Sequence, residues 1–147
     1  NLLSEANRHL VFYTLQKLVE NAVDTGHKKS TEKQMSDILF YINHNFTKKI
    51  TVESTAREFG FAGNYFGKMF FSRIGVSFKD YVNNVRLNYG YSLVIENEQT
   101  IEEIASACGF GERTYFATKF RQQFGMTPTE CRERNADRRA KTDEKTD

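Results

Sequence analysis

The 147-residue chain has no tryptophan, one proline, two cysteines and three histidines. Each shortage excludes something. Cys108 and Cys131 are too few for a disulfide-built fold, so small buried thiols in a reducing compartment are expected. His9, His27 and His44 lie 18 and 17 residues apart, which is no ligand spacing, and they stand away from both cysteines. No metal and no cofactor is therefore expected. The chain has no glycine-rich phosphate cradle and no Ser/His/Asp set that spacing selects, so no catalytic residue is nominated and an enzyme is not expected. No uncharged run approaches the roughly 18 residues of a membrane helix. No basic-then-apolar signal segment opens the chain either, so a cytoplasmic protein without membrane contact is expected. It begins at Asn1 rather than Met, which is expected of a piece of a longer protein. One proline and little strand-like alternation favour an all-α fold.

What is present is apolar surface and repetition. Hydrophobic residues make up 39% of the chain and 13 are Phe, enough for a packed interior in one domain or two very small ones. The net charge of +2 is too close to neutral to identify a nucleic-acid binder. Its distribution says more. Residues 62–75 carry Lys68 and Arg73 without an acid, and residues 111–124 carry Arg113, Lys119 and Arg121 against Glu112 alone. The acids gather elsewhere, at Glu96, Glu98, Glu102 and Glu103.

Those two basic stretches belong to copies of one unit. Thr51, Glu53, Ala56, Gly60 and Phe61 recur 49 residues later as Thr100, Glu102, Ala105, Gly109 and Phe110. After one inserted residue, Tyr65, Phe66, Phe70 and Gly75 recur 50 residues later as Tyr115, Phe116, Phe120 and Gly125. Each copy reads as a short helix, a turn at a Gly-Phe pair and a second short helix: about 51–75 for the first, about 100–125 for the second. Between them, residues 77–97 read as one long spacer helix. Ser77 caps it, Asp80 lies in its first turn, and Phe78, Val82, Val85, Tyr89 and Leu93 form one apolar stripe. Its length is about 30 Å at 1.5 Å per residue, near the 34 Å of one turn of B-DNA.

The rest of the chain is read by the same rules. Residues 1–24 read as an amphipathic helix, with Val11, Leu15, Leu18 and Ala22 in one stripe, ended by Gly26. Residues 1–27 read as a linker or dimer-contact helix. Thr31-x-x-Gln34 is a capping box for the next helix, with Met35, Ile38, Leu39, Ile42 and Phe46 on its buried face. In the second helix of each unit, Tyr65, Phe66, Met69 and Phe70, then Tyr115, Phe116, Phe120 and the stem of Lys119, face inward. Thr100-x-x-Glu103 is a capping box, and Thr127-Pro128-Thr129-Glu130 combines a cap, an N1 proline and an N3 carboxylate. That last helix is expected to fade near Asn135, leaving residues 135–147 as a polar tail.

Two helix-turn-helix units on such a spacer carry a family resemblance. IEEIASACGFGERTYFATKFRQQFGMTPTECR, with EIA, GF, YF, a basic residue after Phe, Gly and TP in order, resembles the second unit of the DNA-binding domain of AraC/XylS-type bacterial transcription regulators. STAREFGFAGNYFGKMFFSRIGVSFKDYVNNVR resembles the first unit, and Thr31–Lys49 resembles the helix before it, so residues 31–134 are expected to be that domain. The resemblance implies a monomeric module offering two recognition helices to adjacent major grooves of promoter or operator DNA. It also implies a separate sensing or dimerisation domain outside this chain, and makes RNA polymerase a further candidate partner. By position, DNA contacts fall on Asn64, Gly67 and Lys68 in the first unit, and on Arg113, Thr114, Ala117, Thr118 and Arg121 in the second. Arg113 suits guanine and Asn64 suits adenine. Two residues depart from the family pattern: Phe71 replaces a basic residue and Cys131 an aromatic. The alternative is a helical protein-interaction module without DNA binding.

Overall fold

The computed structural model describes the backbone of residues 26–96 and 98–145, with side chains from residue 32 onward. Among these residues there are seven helices and no strand: α1 (Gly26–Asn45), α2 (Val52–Glu58), α3 (Gly63–Ile74), α4 (Phe78–Glu96), α5 (Ile101–Ala107), α6 (Arg113–Phe124) and α7 (Pro128–Asp143). The chain divides into two compact units, the first ending at Val85 and the second starting at Arg86. The all-α expectation holds, and the two helix-turn-helix units are α2–α3 and α5–α6. The helix expected over residues 1–24 lies outside the described residues.

In the first unit, Met35, Ile38, Leu39 and Ile42 of α1 pack with Ala56, Phe66, Phe70, Ile74, Phe78, Tyr81 and Val82. The rings of Phe66 and Phe70 meet Phe78 edge-on at 5.7 and 5.6 Å, so the α3 phenylalanines are locked against the start of α4. The second unit repeats the plan with Leu87, Val94, Ile101, Ile104, Ala105, Cys108, Phe116, Phe120 and Cys131. Both cysteines are free and buried, as expected. Burial pushes the Cys108 thiol up to about 11, so it is packing material and not a nucleophile.

The turns also repeat. Thr51 and Thr100 each cap their helix through a reciprocal box, with Ser54 and Glu103 respectively. Gly60 and Gly109 adopt φ of 76° and 95°, a region closed to most side chains. The next amide then bonds back, Phe61 N to Ala56 O at 2.8 Å and Phe110 N to Ala105 O at 3.0 Å. The one inserted residue of the second unit is Gly111, also left-handed at φ 77°. An insertion at that point extends the turn and leaves both helices intact. The Thr127–Glu130 box at the start of α7 forms as expected.

Four expectations need correction. The helix expected to open at Thr31 begins at Gly26, so Thr31 lies inside α1. Lysine, glutamate and glutamine, frequent in the first half of α1, are good helix formers, which outweighs a weak cap signal. The single stripe along the spacer does not persist. Tyr89 is 40% exposed and Leu93 only partly covered, while Leu87, Gly90 and Val94 are buried. Each half of α4 serves the core of its own unit, so one periodicity need not run its whole length. Tyr65, expected inward, is 58% exposed. Finally, α7 continues past Asn135 to Asp143. Asn135 itself anchors it, donating from Nδ2 to Ile95 O at 3.3 Å, and Arg132 Nε donates to Val94 O at 3.1 Å. Beyond that point the helix runs on exposed Arg, Lys and Ala, which are good helix formers.

Candidate nucleic-acid interface

The second helix of each unit has two sides with different jobs. On α3, Phe66 and Phe70 are fully buried; on α6, Phe116 and Phe120 are. Two anchoring rings fix the rotation of each helix about its axis and so decide what faces outward. On α3 the outward residues are Asn64, Lys68 and Phe71, with Gly67 half-buried between them. On α6 they are Arg113, Thr114, Thr118 and Arg121, with Ala117 half-buried. All eight residues expected to touch DNA therefore fall on two matching faces, one per unit.

Their hydrogen bonds narrow what each can do. Asn64 Oδ1 accepts from Tyr65 N at 3.0 Å, which engages one of its two lone pairs. The second lone pair and the amide N–H groups together still permit the adenine pairing expected of Asn64. Thr118 donates its hydroxyl proton to Thr114 O at 2.9 Å. What remains outward is a lone pair and a methyl group, suited to a base amino group or a thymine methyl. Lys119, by contrast, is half-buried with its ammonium 5.8 Å above the Tyr115 ring, so it belongs to the inward side as expected.

The helix starts are distinctive as well. The N-cap residues of α3 and α6, Ala62 and Glu112, make no side-chain cap, whereas those of α2, α5 and α7 do. The leading amides of α6 are left for an acceptor such as phosphate, with the helix dipole favouring negative charge there. Sequence reasoning missed two features of this interface. Tyr65 reads as core alongside Phe66, Met69 and Phe70; the exposed ring instead stands next to Asn64, 6.0 Å from the Phe61 ring. The uncapped starts are visible in the letters, since neither Ala62 nor Glu112 is a Ser or Thr. Among the described residues, no group of His, Cys, Asp and Glu is placed to hold a metal ion, and no helix is long and apolar enough to cross a membrane.

Two Gly-turned helix pairs, each presenting an uncapped second helix with a polar outer face over a phenylalanine core, define a double helix-turn-helix protein. A family model described as a helix-turn-helix domain, of the AraC type, matches residues 51–134. The chain belongs to the AraC/XylS family of transcription regulators, and these residues are its C-terminal DNA-binding domain. It is similar to the HTH-type transcriptional activator RhaS of Klebsiella pneumoniae, 24% identical over 128 residues, covering 87% of this chain and 46% of the relative. The chain thus spans about half the length of the curated relatives it matches. Among solved structures, the C-terminal domain of the response regulator yesN from Fusobacterium nucleatum is 27% identical with a TM-score of 0.66. That match covers 68% of this chain and 98% of that one. The fold is also that of the DNA-binding domain of AdpA, a global transcriptional factor solved with a target DNA. There the TM-score is 0.67 at 21% identity, covering 71% and 95% of the two chains.

Proposed function

We propose that this chain binds double-stranded DNA sequence-specifically, as part of a bacterial regulator, by placing α3 and α6 in adjacent major grooves. The observation that carries this reading is the repeated outer face: Asn64, Gly67, Lys68 and then Arg113, Thr114, Ala117, Thr118, Arg121, each set backed by two buried phenylalanines. Base readout rests mainly on the second unit, where Arg113 offers a bidentate fork at the start of α6. A sensing or dimerisation domain elsewhere in the whole protein, contact with RNA polymerase and a cytoplasmic location complete the proposal. The test is selection of bound duplexes from a random library, followed by titration in increasing salt. A DNA binder loses affinity steeply as counterion release weakens. A helical protein-interaction module would enrich no sequence.

Two substitutions separate the units. Arg113→Ala should cost about 1–3 kcal/mol on the selected sequence and relax base preference in one half-site. Equal losses on selected and random duplexes would assign Arg113 to phosphate instead. Lys68→Ala should weaken binding through α3. If Lys68 meets phosphate, the slope of log affinity against log salt should fall by about one. Unchanged affinity and slope would remove Lys68 from the interface.

A further inference from the structure

We propose that Phe71 is a specificity-determining contact: its ring takes a thymine 5-methyl group at the wall of the groove that receives α3. The inference rests on the DNA-binding function proposed for the two units. Phe71 is 58% exposed, whereas Phe66 and Phe70 on the same helix are fully buried, so the core does not need this ring. It stands seven residues beyond Asn64. Seven residues turn a helix by about 700°, within about 20° of the starting direction, and advance it by about 10.5 Å. Phe71 therefore shares the face of Asn64 and Lys68, and the three span a length comparable with the groove's width of about 12 Å. Its counterpart in the internal repeat is Arg121, exposed on the matching face of α6. At this position one unit carries a cation and the other an apolar ring.

The chemistry that an exposed Phe can recognise in a major groove is narrow. It offers no hydrogen bond, and the thymine methyl is the apolar group that a base edge presents there. Half-buried Gly67, one turn before it, carries no side chain that would hold α3 away from the base edges. The first unit then reads one amide, one ammonium and one apolar ring, where the second reads guanidiniums and hydroxyls.

The experiment uses the full chain and a duplex enriched by selection, with each thymine in the α3 half-site replaced singly by deoxyuridine. One replacement should weaken the wild-type chain about three- to tenfold, the scale of one buried methyl group. Phe71→Ala should lose a similar factor on the parent duplex and be indifferent to that same replacement. Phe71→Arg should recover affinity with a steeper salt dependence and remain blind to the methyl group. The proposal is overturned by a half-site lacking thymine, by uridine losses equal in wild type and Phe71→Ala, or by Phe71→Ala binding like wild type. The last result would give the ring to a protein partner. Should Arg113→Ala also bind every duplex as wild type does, the two-groove reading itself fails; Arg113-dependent binding without methyl dependence removes only the role of Phe71.

Discussion

Two alanines inserted between Val85 and Arg86 should reduce specific affinity to that of a single unit while helical content is retained. The insertion point is the boundary between the two compact units, so Phe78, Tyr81 and Val82 stay with the first core and Leu87 and Val94 with the second. Two residues lengthen α4 by about 3 Å and rotate its C-terminal half by about 200°. Each unit keeps its own local sequence and packing, but both recognition helices can no longer address one duplex together. Two lost base contacts at about 1–3 kcal/mol each amount to roughly a hundredfold or more in affinity. DNA bending could compensate only at a cost of about 1–6 kcal/mol for some tens of degrees. A seven-residue insertion separates phase from length, since it restores direction to within about 20° while adding about 10 Å. Full affinity in a folded two-alanine variant would mean that α4 is no rigid spacer.

Gly90→Ala should destabilise the second unit by about 1–3 kcal/mol, although alanine is the better helix former. A Cβ at Gly90 would lie 2.8 and 3.0 Å from two ring carbons of Phe116 and 3.4 Å from Cys108 Sγ. Phe116 is fully buried and helps fix the rotation of α6, so the ring has nowhere to retreat. Overpacking of this kind outweighs the gain of about 0.5–1 kcal/mol expected from replacing a helical glycine. Gly67→Ala is the matched control. There a Cβ would meet Val52 Cγ1 at 3.7 Å, an ordinary contact, so the propensity gain should survive and stability should rise. Denaturant midpoints of the two variants check the pair. A Gly90→Ala protein at least as stable as wild type would show that α6 can shift freely against α4.

The contrast between these glycines separates features that are local in the sequence from features that are not. Repetition is visible in the letters: Thr100 with Glu103 and Thr127 with Glu130 close their capping boxes at the expected residues. The inserted residue likewise sits in the turn, at Gly111. Local chemistry determines such features within three or four residues, so a string of letters suffices. Packing across the chain is less visible. Tyr65 and Tyr115 occupy equivalent places, yet the first is mostly exposed and the second half-covered, because burial depends on the opposing surface. Tyr89 looks like part of a continuous stripe, but each half of α4 answers to a separate core. The eight candidate DNA contacts fall on the two outer faces because four phenylalanines, legible in the repeat, settle those faces. The orientation of the Asn64 amide and the engaged hydroxyl of Thr118 depend on hydrogen bonds that composition does not reveal.

The central claim is that two units of one chain read two successive grooves. Hydroxyl-radical footprinting of the full chain on a duplex recovered by selection tests it most directly. Two protected windows should appear on one face of the helix, centred about 10–10.5 base pairs apart. Arg113→Ala should weaken one window and Lys68→Ala the other. A single window, or two that both variants weaken alike, would contradict the account.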